Sequence, residues 1–183
     1  YDIIGHYRKF HRRLSKDNSA RFGKNLGNKS LGTELDFLAI DKDGDILLIE
    51  FKHYSGKAYL APIQLAVYYE LFKKYQHDKK RNLLLAVQDN LEQKVELGLL
   101  PNWRVNNWNQ RLKPWIVISQ FDIERGTAFS KMKEIIHEYG IKQKLLSTDF
   151  LRELKIFTFN RTEKGENEFV LTDITKHIEI QNS

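Results

Sequence analysis

Between Thr33 and Lys52 the chain reads TELDFLAIDKDGDILLIEFK. Two apolar runs of strand composition flank an Asp43-Gly44 pair, a strong local signal for a β-hairpin. Two registers are open. A two-residue Asp43-Gly44 turn pairs Asp36 with Phe51. A three-residue Lys42-Asp43-Gly44 turn, with Gly44 left-handed as a bulge, pairs Asp36 with Glu50. Side-chain alternation selects the second. In that register one face collects Leu35, Phe37, Ala39, Leu47, Ile49 and Phe51, and is apolar except for Asp45 at the turn. The other face carries Glu34, Asp36, Leu38, Ile40, Ile46, Leu48, Glu50 and Lys52. It is apolar toward the turn and charged at the far end. The first register scatters the charges over both faces.

The selected register sets Asp36 opposite Glu50, and Glu34 opposite Lys52. Facing carboxylates repel by some tenths to about 1 kcal/mol. Burial beside Leu38 and Leu48 raises that cost unless a cation intervenes. A hard divalent ion suits such a pair, because Mg²⁺ takes carboxylate oxygens, keeps several waters and binds phosphate. Lys52, on the same face and two residues past Glu50, can hold an attacking water or stabilise charge developing on a phosphate. For Glu34 a salt bridge to Lys52 competes with metal binding.

The chain around the hairpin has 183 residues, 41% of them hydrophobic, enough for one domain with its own core. Residues 3–16 have the spacing of an amphipathic helix, with Ile3, Ile4, Tyr7, Phe10 and Leu14 on one side. Residues 17–32 read as a polar loop. A helix is expected over 61–75, with Pro62 in its first turn. Strands are expected over 82–88 and 114–120, and a helix over 130–139. Residues 155–161 and 168–174 form a last hairpin candidate. The order of elements gives an α/β class: a mixed central β-sheet flanked by helices. The expectation is one domain over 1–183, with its core over about 1–120 and an α+β extension over about 121–183.

Asp36, thirteen intervening residues and then Glu50-Phe51-Lys52 resemble the D…(D/E)xK motif of the PD-(D/E)XK nuclease superfamily. The motif sits at the charged end of a hairpin, and a helix follows within ten residues. That helix carries Gln64 and Tyr68 as Gln-Leu-Ala-Val-Tyr, similar to the Gln-x-x-x-Tyr element of RecB-like members. LDFLAIDKDGDILLIEFK also resembles the nuclease domain of NucS-type endonucleases. The likeness covers about residues 20–90. It implies a restriction-endonuclease-like core and a Mg²⁺- or Mn²⁺-dependent hydrolysis of phosphodiester bonds, in DNA more than in RNA. By the same resemblance Asp36, Glu50 and the Phe51 main-chain carbonyl bind the metal, Lys52 is the catalytic lysine, and Gln64 lines the site. Tyr68, one turn on, lies near the nucleic acid. Two positions depart from the pattern. Leu35 stands where the motif has proline, and residues 3–16 lack the acidic residue that many relatives add. Asp2, a residue upstream of those given or Glu34 are the alternatives for that role, so one metal or two stays open.

Thirty Lys and Arg against twenty-four Asp and Glu give a net charge of +6, which favours polyanionic partners. Lys57, in the linker after Lys52, and Lys29, in the polar loop, are candidate phosphate contacts. Lys29 does not belong to a P-loop, because Asn28 occupies the place of the required glycine. The segment from Trp103 to Trp115 interleaves aromatics with cations and suits either base stacking or core packing. The six histidines lack metal spacing, and His53 faces away from Lys52 by strand alternation. The absence of cysteine excludes disulfides and Cys-based zinc sites. No apolar stretch approaches a membrane span. The expected location is cytoplasmic, with no membrane partner. A homodimer is one open arrangement, since duplex cleavage often pairs two such sites. The alternative function is a nucleic-acid-binding module that keeps the fold without cutting. A protein-interaction domain with an incidental basic surface is a third.

Overall fold

The hairpin forms in the bulged register. Strand β1 (Phe37–Ile40) runs antiparallel to β2 (Ile46–His53), pairing Phe37 with Ile49 and Ile40 with Ile46. Gly44 has φ of 76°, the left-handed value expected for the bulge. Asp41 closes the turn with its own side chain: Oδ1 accepts from the N–H groups of Asp43 and Asp45, at 2.9 and 3.0 Å. The structure, a computed structural model, describes residues 35–41, 43–53, 58–76, 82–99, 109, 111–119, 127–161 and 169–178. The expected helix over 3–16 and loop over 17–32 lie outside these residues. The same holds for Glu34, Lys29, Lys57, Trp103 and Trp108. From Asp36 onward the chain belongs to one compact unit, Asp36–Ser183.

Among the described residues five strands form one mixed sheet in the order β1-β2-β3-β4-β5. Strand β3 (Leu112–Ser119) lies parallel to β2, with Glu50 beside Ile116. Strand β4 (Lys155–Arg161) lies parallel to β3, and β5 (Phe169–Asp173) returns antiparallel at the edge. The expected C-terminal hairpin is thus present, and it extends the same sheet. The α/β class and the mixed sheet flanked by helices hold.

A 3-10 turn (Ala58–Leu60) leads into helix α1 (Ala61–Tyr75). Pro62 occupies its first turn, where a missing N–H costs nothing. Nine of its fifteen residues are buried, so the helix is packed on more than one side. It lies against β2 and β3. The face beneath is dry: Ile46, Leu48, Ile116, Ile118 and Ile156 are all 0% exposed. Helix α4 (Thr148–Glu153) packs on α1 and β3, and its Phe150 ring meets Tyr69 edge-on at 5.5 Å.

The strand expected over 82–88 is instead the start of helix α2 (Leu83–Glu96). A five-residue apolar run does not distinguish a strand from a buried helix turn. Two features decide it: the Asn82 side chain accepts from the Leu85 N–H as an N-cap, and good helix formers follow. Helix α3 (Thr127–Ile135) begins three residues ahead of the expected start. It continues as a π-helical turn over Ile136–Lys142. Among the described residues, no helix is long and apolar enough to cross a membrane.

The turn end of the hairpin is fixed by a buried acid. Asp45 is 0% exposed and takes Arg111 at 3.1 and 2.9 Å and Lys113 at 2.6 Å. Lys113 also reaches Asp41 at 2.7 Å. These contacts tie the hairpin to β3 through side chains. Gly44→Ala is expected to cost about 1–2 kcal/mol, because the turn requires a left-handed residue. Gly44→Asn should cost less. Urea unfolding of the two variants checks both.

Candidate active site

The expected face-to-face arrangement of Asp36 and Glu50 follows from the observed ladder. Phe37 pairs with Ile49, so the register continued by one sets Asp36 opposite Glu50. The Asp41 N–H donates to the Asp45 carbonyl, which makes that pair hydrogen-bonded. Alternation then makes 36 and 50 a non-hydrogen-bonded pair, the kind whose side chains approach most closely. The ladder ends at Phe37, and the next donor, the Phe51 N–H, goes to Asp36 Oδ2 at 2.8 Å. In an antiparallel ribbon the N–H and C=O of a residue leave the strand on the same side. The Phe51 carbonyl therefore opens toward Asp36.

Lys52 sits on the same face and bonds Glu50 Oε1. Its ammonium lies 4.0 Å from Asp36 Oδ2. One cation thus touches one acid and approaches the other. The three side chains differ sharply in exposure: 37% for Asp36, 20% for Lys52 and 3% for Glu50. The site is a buried acid, a half-buried cation and an accessible acid, in that order outward.

Glu50 is the costly member. Burial pushes its pKa above the ordinary carboxylate value, against the hydrogen bond and charge of Lys52, and the Asp36 charge adds to the rise. Its Oε2 is buried, with no hydrogen-bond partner among the described residues. An orphaned buried carboxylate oxygen is a group whose chemistry fits a donor or a cation.

Two carboxylates and a main-chain carbonyl are all oxygen donors, the chemistry a hard dication takes. Among the described residues no group of three His, Cys, Asp or Glu side chains is gathered for a metal. The donors on hand are therefore Asp36, Glu50 and the Phe51 carbonyl, and the remaining positions would fall to water.

Gln64 lies in the first turns of α1 and is half-buried. Tyr68, one turn on, is 4% exposed, the burial of a packed side chain. His53 points to the opposite face, as alternation requires, and its Nδ1 shares a 2.7 Å hydrogen bond with Ser119 Oγ. Sequence reading missed the direct pairing of Lys52 with Glu50. The signal was present, since residues two apart on a strand share a face. It also missed Arg111 and Lys113 as partners of Asp45, which no local spacing reveals.

Comparison with protein-family models, curated proteins and solved structures finds no match to this chain.

The raised pKa of Glu50 carries a sign. A carboxyl that holds its proton more tightly when folded gives its full contribution below its ordinary value of 4.5 and loses it as pH rises through the raised value. Glu50→Gln carries no such charge. In metal-free buffer the variant is therefore expected to gain stability relative to the parent as pH climbs from about 4.5 toward neutral. Urea midpoints measured across that range check it; a constant difference would contradict the assignment.

Proposed function

We propose that this protein is a metal-dependent phosphodiesterase of the restriction-endonuclease-like class, acting on DNA. One observation carries the reading: a buried acid with an unsatisfied oxygen faces an accessible acid across a hairpin, and a lysine on the same face lies between them. Mg²⁺ or Mn²⁺ fits the all-oxygen donor set of Asp36, Glu50 and the Phe51 carbonyl. When bound, such an ion supplies Lewis acidity toward a phosphoryl oxygen and toward a water nucleophile. The protein's own residues do the rest. Asp36, at the exposed rim, meets the substrate side. Glu50 is held in place by the packed face around it. Lys52 trades its bond to Glu50 for a water or a phosphate oxygen, and there opposes the charge that builds during displacement. Gln64 lines the site from α1. The net charge of +6 draws the polyanion, so binding is expected to weaken with salt.

The pairing of Lys52 with Glu50 also favours a second reading, a non-cleaving module in which the lysine alone compensates the acid. Metal titration separates the two. A dication on the site raises the melting temperature, with about 2.7 kcal/mol of added stability at a hundred times its Kd. Asp36→Ala is expected to abolish that rise; a parent protein that melts identically with and without metal supports the module.

The activity test uses supercoiled plasmid and single-stranded DNA with Mg²⁺ or Mn²⁺. Asp36→Ala is expected to reduce cutting to background, and Lys52→Ala to slow it by about 100-fold or more. Parent and variants that cut at equal rates would remove the assignment.

A further inference from the structure

The face of the sheet away from the acids carries a diagonal of four phenylalanines. Phe37 on β1 meets Phe51 on β2 edge-on, with ring centroids 6.4 Å apart. Phe51 meets Phe159 on β4 at 6.5 Å. Phe159 stacks on Phe169 of β5 at 4.9 Å, with an interplanar angle of 9°. The strand registers place all four on one side of the sheet. A tilted Trp115–Phe157 pair adjoins them at 4.8 Å. Burial is graded along the diagonal. Val117, in the middle of this face, is 9% exposed, whereas Phe37 and Phe169 at the two edges are 56% and 57% exposed.

We propose that this diagonal is a base-stacking platform for single-stranded nucleic acid, which feeds the Asp36–Glu50 site around the β1 edge; the proposal rests on the nuclease reading of that site. Three observations carry it. Aromatic rings on a sheet face bind unpaired bases without regard to sequence, because every base has a π-face. A duplex keeps those faces stacked inside and cannot offer them. Next, the platform and the site share backbone. Phe37 follows Asp36, and Phe51 lies between Glu50 and Lys52. Among the described residues strand β1 is the sheet's edge, and Asp36 on one face and Phe37 on the other are both exposed there. A flexible single strand can round that edge, its bases on Phe37 and Phe51 and its backbone toward the carboxylates. Finally, the described acids on this face do not oppose a polyanion. Each described acid on it already has a cation: Asp173 has Lys155 at 3.3 Å, and Asp41 and Asp45 have Lys113.

The test uses the full chain, fluorescein-labelled oligo(dT) and a mixed-sequence duplex, in EDTA so that nothing is cut. Phe37→Leu and Phe169→Leu keep the apolar bulk and remove the ring. Each is expected to weaken oligo(dT) binding about 10-fold and leave duplex binding unchanged. Phe169→Trp should retain oligo(dT) binding and add an indole signal that quenches on titration. Leucine variants that bind oligo(dT) like the parent overturn the platform, as do variants that lose melting temperature but not affinity, which would mark the rings as packing for another part of the chain. Asp36→Ala separates this from the nuclease reading. If it cuts as the parent does while the leucine variants lose oligo(dT), the nuclease assignment fails and the platform stands.

Discussion

A single ammonium group beside two carboxylates is what lets one of them stay buried in this fold. Glu50 is buried in a mostly aliphatic face of the sheet, and a bare charge there would be expensive. Lys52 bonds it from two residues away and stands within 4.0 Å of Asp36. The backbone contributes as well, because the Phe51 N–H donates to Asp36 and holds that side chain at the strand end. Lys52 thus compensates the buried acid and stands close to the exposed one. Both contacts fall on one side chain.

The same device recurs at the other end of the hairpin. Asp45 is buried completely, and Arg111 and Lys113 compensate it from the start of β3. There the cations come from a different part of the chain, and both carboxylate oxygens are met. One acid pair therefore fixes the sheet and the other leaves an oxygen unsatisfied. The contrast lies in donor count: Asp45 has three cation contacts, and Glu50 has Lys52 with Oε2 left over.

How much of this was legible before the structure depends on distance along the chain. The hairpin register could be read because its turn residues and its period-two pattern lie within twenty residues of each other. Helix α1 could be read from its proline and its apolar density. The start of α2 could not, because Leu83–Val87 suits a strand as well as a helix until the Asn82 cap is seen. Helix α4 has only six residues, too few for a period to show. At the site, the facing of Asp36 and Glu50 was legible, as was the exclusion of His53 from it. The depth of Glu50 was not, since burial is set by α1 and β3 and not by the strand that carries it. The aromatic diagonal escaped for a related reason: its four rings come from four strands, and only assembly of the sheet aligns them.

That β2 lies parallel to β3 has a consequence for how the chain reaches this state. Glu50 and its neighbour Ile116 are 66 residues apart in sequence, whereas Phe37 and Ile49 are separated by one tight turn. Closing the long loop costs more entropy than closing the hairpin, and parallel pairings of this kind are slow to form. The two carboxylates therefore meet while still in water, where repulsion is cheap. Desolvation comes later, when β3 and α1 dock. Assembly in that order spares the nascent chain from carrying an unpaired charge into a forming core.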